Sequence, residues 1–131
     1  MSLLQPVLSQ SALIGDRIED FLDRFAAAWN GADVAGFATL FIEDATYVTW
    51  QGQWLRGREE IARMRNCLLR AEGSGASLRI RPLSVRALGP AVRLVVAAGG
   101  NGEVQTFTLI LQAGRWVCAA VQNTAIGLPS D

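Results

Sequence analysis

The sequence predicts an α+β domain in which three N-terminal helices pack on a strongly curved antiparallel sheet. Two patterns support this prediction. Apolar residues recur at the spacing of an α-helix in the first half of the chain, and they alternate with polar residues in the second half. The turn Gly73-Ser74-Gly75 separates the two halves. With 131 residues the chain suits a single domain, residues 1–131, with a core at about 15–126.

The three predicted helices have apolar faces and recognisable ends. The first ends at Asn30-Gly31. Asp33 caps the second, whose apolar stripe extends over residues 34–41 until Glu43-Asp44 ends it. The third begins at Gly57. The apolar face of the first helix comprises Ile14, Ile18, Phe21, Leu22, Phe25 and Trp29. That of the third comprises Ile61, Met64 and Leu68.

Six strands follow from the remaining pattern. β-Branched and aromatic residues predict a strand at 45–49 and a brief one at 54–55. The apolar face of the next strand changes sides at Pro82, which predicts a bulge or bend there. The last hairpin closes around Ala113-Gly114-Arg115. The four long strands are predicted at 78–88, 92–98, 104–112 and 116–124.

The chain has no histidine, and all 12 of its basic residues are arginine. These absences exclude Ser-His and Cys-His nucleophile pairs, a lysine Schiff base and imidazole metal ligands. Acid–base chemistry would fall to carboxylates, Tyr47, a cysteine or water. Cys67 and Cys118 lack metal-site spacing, and the glycine cluster at 99–102 precedes a strand rather than a helix. We therefore expect no metal and no cofactor.

Composition also sets expectations for partners and location. The mean hydropathy of +0.23 is high for a small domain, so we expect an apolar cavity and a homodimer interface to hold the apolar surface. The arginines within 56–93 lack neighbouring aromatic residues, so no nucleic-acid partner is expected. No apolar run reaches the ~20 residues of a membrane span, and the N-terminus lacks a signal-peptide pattern. We expect no membrane contact and a cytoplasmic location.

Four motifs in order carry a resemblance to a known family: WNGAD at the end of the first helix, FxxLFxEDA before the first strand, GxWxxGRxEI before the third helix, and WVxAxxQNT in the last strand. Together they resemble the nuclear transport factor 2-like superfamily, and within it the SnoaL-like group, most closely the SgcJ/EcaC family. The resemblance implies a cone with an internal apolar pocket and dimerisation through the open sheet face. It also covers both enzymes and proteins that only bind ligands.

The same resemblance bears on activity. The positions of the catalytic aspartate and the oxyanion-stabilising tyrosine of ketosteroid isomerases fall on Thr49 and Phe25, neither of which supplies that chemistry. We therefore expect no steroid isomerase activity. The SgcJ/EcaC pattern often has a histidine in the third helix where this chain has Arg65.

Candidate site residues follow from the strand pattern and the resemblance. Tyr47 and Asp44 are the candidates for acid–base catalysis. Tyr47 and Thr49 share the strand face that points into the pocket of the isomerases. The sequence leaves open which face of the last strand points inward, so Gln122 and Asn123 are both candidates. The full set of candidate ligand-binding residues is Tyr47, Thr49, Trp54, Met64, Phe107, Gln122 and Asn123.

Three functions remain open. The first is a cytoplasmic, dimeric protein that binds a small apolar or aromatic molecule. The second is a metal-free and cofactor-independent enzyme of the cyclase, dehydratase or isomerase kind that uses Tyr47 and Asp44. The third is a dimerisation module with a vestigial cavity. The strand at 104–112 is apolar on both faces, which predicts a cavity on one side and a second copy through the sheet face on the other.

Overall fold

The computed structural model describes residues 16–72, 77–100 and 102–125. The predictions for Ile14, for the turn Gly73-Ser74-Gly75 and for Asn101 lie outside these residues. The helices are α1 (Ile18–Asn30), α2 (Val34–Ala38) and α3 (Arg58–Glu72). The strands are β1 (Phe41–Val48), β2 (Trp54–Arg56), β3 (Ile80–Gly89), β4 (Val92–Gly99), β5 (Glu103–Gln112) and β6 (Arg115–Ala125).

The six strands form one sheet in the order β2-β1-β6-β5-β4-β3. The predicted α+β fold is confirmed, with three helices packed on this curved sheet. One pairing differs from the expected antiparallel arrangement, because β1 and β6 run parallel. These two strands are separated by residues 49–114 rather than by a hairpin, so no tight turn imposes an antiparallel pairing.

Phenylalanine side chains form the centre of the core, between the sheet and the first two helices. Phe21 and Phe25 of α1 pack edge-on against Phe107 of β5, with ring centroids 5.7 and 5.3 Å away. Phe37 of α2 lies 5.1 Å from both Phe25 and Phe41. All five rings are at most 1% exposed. Edge-to-face packing of this kind adds to the stabilisation from burial.

The boundary between α2 and β1 differs from the prediction. Asp33 caps α2 as expected, because its carboxylate accepts a hydrogen bond from Gly36 N at 2.9 Å. However, the helix ends at Ala38, and β1 already begins at Phe41. The amide of Cys118 donates to the Leu40 carbonyl oxygen at 2.8 Å. Hydrogen bonds to β6 therefore replace those that would have continued the helix.

Local irregularities shape the second half of the sheet. The bulge predicted at Pro82 is confirmed, because the pairing of β3 with β4 shifts between Pro82 and Ser84. The β5–β6 hairpin turns through Ala113 and Gly114, both with positive φ, as a type I′ turn requires. No helix in the described ranges is long and apolar enough to cross a membrane.

A bulge in β6 decides which of its side chains face the helices. Thr108 pairs with Ala120, but the next residue, Leu109, pairs with Cys118. The extra residue in β6 reverses the alternation of side chains between the two faces. Cys118 before the bulge is buried in the core, and Asn123 after it also faces inward.

Candidate functional site

A cavity of about 210 Å³ lies between the sheet and the helices α1 and α3. It occupies the end of the sheet where β1 and β6 finish and β5 begins. Its wall is mixed. The apolar and aromatic lining residues include Trp29, Tyr47, Trp50, Met64, Leu68 and Leu78, and the polar ones include Thr49, Glu103, Gln105 and Asn123.

Two side-chain amides form the polar part of the cavity. Gln105 of β5 and Asn123 of β6 are register partners, so their side chains lie next to each other on the same face of the sheet. Gln105 is only 2% exposed. Within the described residues, neither Gln105 Oε1 nor Asn123 Oδ1 has a hydrogen-bond partner, although both atoms are buried. A buried polar atom without a partner costs about 1–3 kcal/mol, so this pair needs an explanation.

The inward-facing row of β5 explains where the cavity begins. From the centre of the sheet towards its end, the successive inward residues are Leu109, Phe107, Gln105 and Glu103. Leu109 and Phe107 are fully buried in the core. Gln105 and Glu103 line the cavity. The change from apolar to polar side chains along one strand therefore separates the packed core from the cavity.

Trp29 forms an aromatic wall whose orientation is held from two sides. Its ring stacks on Phe25 with a 9° angle between the planes and 6.5 Å between the centroids. The guanidinium of Arg65 lies 3.7 Å from the centroid of the Trp29 ring and donates to the Trp29 carbonyl oxygen at 2.8 Å. Arg65 is only 5% exposed. Contact of a largely desolvated cation with an indole ring is favourable, so Arg65 fixes this wall.

Asn30 holds one of the lining residues, Leu78, in place. Its amide nitrogen donates to the Leu78 carbonyl oxygen at 3.0 Å, and its amide oxygen accepts from Leu78 N at 2.6 Å. These two bonds tie the end of α1 to the segment that precedes β3. They hold Leu78 at its place in the cavity lining.

Tyr47 lies in the cavity wall as a neutral phenol. Burial raises the pKa of Tyr47 above its ordinary value, electrostatic interactions with Cys118 and Glu103 raise it further, and Arg65 acts in the opposite direction. Since the hydroxyl stays protonated at neutral pH, Tyr47 can donate one hydrogen bond and accept another. A general acid works best with a pKa near the working pH, which is the reverse of this shift.

Four of the candidate ligand-binding residues come together in the cavity lining: Tyr47, Thr49, Met64 and Asn123. The structure also answers the question that the sequence left open, because Asn123 and not Gln122 faces inward. Thr49 and Met64 come from opposite walls, one at the end of β1 and the other on α3.

The other three ligand-binding candidates and the catalytic candidate Asp44 lie elsewhere. Phe107 is fully buried in the core. Gln122 is exposed on the opposite face of β6. Trp54 is 61% exposed and lines a separate surface groove between β2 and α3. Asp44 is exposed in the part of β1 where the pairing with β6 shifts, so it does not share the cavity with Tyr47.

Sequence reasoning missed Gln105, Glu103 and the contact between Arg65 and Trp29. The first two were detectable, because the alternation that assigned Phe107 to an inward face also places Gln105 and Glu103 there. The contact between Arg65 and Trp29 joins two helices, and no local pattern signals it. Among the described residues, no group of three or more cysteine, aspartate or glutamate side chains is arranged to hold a metal ion.

Comparison with known proteins identifies the family. The family profile described as "SnoaL-like domain" matches residues 18–121, which is most of the chain. The chain therefore belongs to the SnoaL-like domain family. A search of curated proteins gave no match.

Several solved structures share the fold. A domain of unknown function with a cystatin-like fold from Nostoc punctiforme PCC 73102 is 22% identical, with a TM-score of 0.72 over 82% of this chain and 74% of that one. A ketosteroid isomerase-like protein from Erwinia carotovora atroseptica SCRI1043 is 17% identical, with a TM-score of 0.72 over 85% and 95% of the two chains. An NTF-2-like protein of unknown function from Shewanella oneidensis MR-1 is 17% identical, with a TM-score of 0.69 over 82% and 95%. At these identities the likeness shows the fold alone.

Proposed function

We propose that within its family this chain stands closest to the SgcJ/EcaC group. We further propose that it binds a small, flat, apolar or aromatic molecule in the cavity between α3 and the sheet. The observation that carries the proposal is a cavity with an aromatic wall at Trp29 and two buried amide oxygens, of Gln105 and Asn123, that have no partner among the described residues. Binding pockets typically combine apolar walls with a few polar groups that orient the ligand.

The size of the cavity limits the ligand. Pockets for drug-sized molecules span roughly 300–1,000 Å³, and this cavity has a volume of about 210 Å³. We therefore infer a ligand of one or two fused rings. Trp50 is 57% exposed and also lines the cavity, so it marks the side open to solvent.

The positions of Asp44 and Tyr47 favour binding over catalysis by this predicted pair, and the carboxylate that shares the described cavity lining with Tyr47 is that of Glu103. Asp44, the carboxylate assigned to proton transfer, is exposed and lies outside the cavity. Burial raises the pKa of Tyr47, which suits a hydrogen-bond donor better than a group that must release its proton. Thr49 lines the cavity at the position that the isomerase resemblance assigns to a catalytic base, and a threonine hydroxyl does not ionise at neutral pH.

We also propose that a second copy of the chain covers the outer face of the sheet. The support is the uncharged, partly apolar character of that face on the central strands. Val96 and Thr106 are register partners there, as are Leu94 and Thr108. Homodimer interfaces are more apolar than the rest of a protein surface, so this face fits a second copy.

Native mass spectrometry of the gently purified protein tests ligand binding, followed by a ligand-observed NMR screen of one- and two-ring aromatic compounds. We expect compounds that bind the wild-type protein to show no NMR evidence of binding to Leu68→Trp, because a larger side chain fills the cavity. Leu69→Trp is the matched control, since Leu69 is also half-buried on α3 but does not line the cavity. If the wild-type protein holds no copurified molecule and binds no compound of the screen, the binding proposal is wrong.

A further inference from the structure

We propose that the cavity selects an uncharged ring system with a lactam or imide edge, in which an N–H group lies beside a carbonyl group. This inference rests on the proposed ligand-binding function and names the chemical class of the ligand. Gln105 and Asn123 recognise the edge, and the wall at Trp29 recognises the flat ring.

The two amides form a pair on the cavity wall. Gln105 and Asn123 face each other across neighbouring strands, a relationship that places Cβ atoms about 4.5–5.5 Å apart. Each amide carries one acceptor oxygen and one donor NH₂ group. Rotation of an amide by 180° exchanges its donor and acceptor, so the pair can present one of each towards the cavity. A ligand edge with an adjacent donor and acceptor complements both.

Both amides have an oxygen without a hydrogen-bond partner. Among the described residues, Gln105 Oε1 and Asn123 Oδ1 are buried without a hydrogen-bond partner. Gln105 is 2% exposed, so solvent satisfies it poorly. A ligand that offers both a donor and an acceptor would let each amide turn and bond. A purely apolar ligand offers no hydrogen-bond partner to either amide and does not compensate their desolvation.

The charge of the cavity lining favours a neutral ligand. In the described lining, Glu103 is the one residue that carries a charge at neutral pH, since Tyr47 stays protonated. A carboxylate ligand would meet the like charge of Glu103 in this lining. A neutral lactam or imide offers the same carbonyl acceptor without that penalty.

The test compares three ligands of nearly equal size by isothermal titration calorimetry. Carbostyril, a two-ring lactam, has both the N–H and the carbonyl group. N-methylcarbostyril keeps the carbonyl and loses the donor, and quinoline keeps only the flat ring with a nitrogen acceptor. We expect carbostyril to bind wild-type protein about tenfold more tightly than either analogue, which corresponds to one or two net hydrogen bonds.

Two variants test whether the amides of Gln105 and Asn123 cause the preference for carbostyril. Gln105→Met and Asn123→Leu keep the approximate side-chain size and remove the hydrogen bonds. Each is expected to bind carbostyril about tenfold more weakly and quinoline with unchanged affinity. Gln112→Met is the matched control, because Gln112 is exposed on the same strand as Gln105. Circular dichroism and thermal melting confirm that each variant is folded.

The outcomes separate the two proposals. If all three ligands bind wild-type protein equally, or if both cavity variants keep the preference for carbostyril, the lactam inference is wrong and ligand binding stands. If none of the three binds, the lactam inference is wrong as well, and the proposed binding of flat aromatic molecules loses its support.

Discussion

Arg65 and Trp29 form a buried pair in which the guanidinium carbon lies 3.7 Å from the centroid of the indole ring and a guanidinium nitrogen donates to the Trp29 carbonyl oxygen at 2.8 Å. The pair joins α3 to the end of α1. Since Trp29 lines the cavity and Arg65 does not, Arg65 acts by positioning the aromatic wall.

Removal of this pair should destabilise the fold. We expect Arg65→Met to lower the free energy of unfolding by about 1–3 kcal/mol, because the cation–π contact and a charged hydrogen bond are both lost. Arg63→Met is the control, since Arg63 is exposed on the same helix and should change stability by less than about 0.5 kcal/mol. Urea denaturation measures both. Equal stability of the two variants would show that the Arg65–Trp29 contact contributes nothing.

Asp16 joins the start of α1 to the β5–β6 hairpin. Its carboxylate accepts two hydrogen bonds from Arg24, at 3.0 and 2.6 Å, and one from Trp116 N at 3.1 Å. Its backbone carbonyl accepts another from the Trp116 indole nitrogen at 2.9 Å. Burial raises the pKa of Asp16, but the hydrogen bonds from Arg24 and Trp116 and the nearby arginine charges outweigh it and lower the pKa below the ordinary value.

This lowered pKa predicts a pH-dependent stability. The stabilisation from Asp16 is complete above the pKa of the unfolded chain, about 3.9, and is lost as the pH falls through the lower pKa of the folded state. Wild-type protein should therefore be more stable than Asp16→Asn at pH 7 by about 1–3 kcal/mol, and the difference should shrink on acidification below pH ~4. Thermal melts across this pH range measure it. Asp23→Asn, an exposed position on α1, is the control. A difference that does not change with pH would contradict the assignment.

Much of the fold follows from local sequence patterns. The apolar face of α1, the cap at Asp33, the bulge at Pro82 and the turn at Ala113-Gly114 each depend on residues close together in the chain, and the structure has all four. The end of α2 depends instead on hydrogen bonds with a distant strand, since Leu40 bonds to Cys118. Local propensity could not reveal that contact.

Part of the cavity lining was also predictable from local sequence patterns. Tyr47 and Thr49 follow from alternation along one strand, and continued alternation from Phe107 also reaches Gln105. The inward position of Asn123 depends on the bulge in β6, which is visible only in the pairing with β5. Asp44 is exposed outside the cavity, in the part of β1 where the pairing with β6 is irregular, and no local pattern in the sequence signals that position.

The dimer proposal predicts a specific effect of charge on the outer face of the sheet. Thr106 lies on that face between its partners Val96 and Gln122. Thr106→Arg should convert the dimer to a monomer, because each copy would bury an arginine without a partner in the proposed interface. Thr106→Val, which keeps the shape, should remain dimeric. Size-exclusion chromatography with light scattering measures the mass of each. A monomeric wild-type protein would overturn the proposal.

Substitution of Gln105 by an apolar residue should stabilise the protein. Its amide oxygen is buried and has no hydrogen-bond partner among the described residues, so the folded protein without ligand bears the desolvation cost of that group. Gln105→Met removes the polar atoms and keeps an unbranched side chain of similar length. We expect the free energy of unfolding to rise by about 1 kcal/mol, which raises Tm by roughly 3–5 °C for a domain of this size. Differential scanning calorimetry measures the change, and Gln112→Met, an exposed position on the same strand, should leave Tm nearly unchanged. A lower Tm for Gln105→Met alone would mean that the amide is already satisfied in the folded protein, and the argument for a ligand that satisfies it would fail.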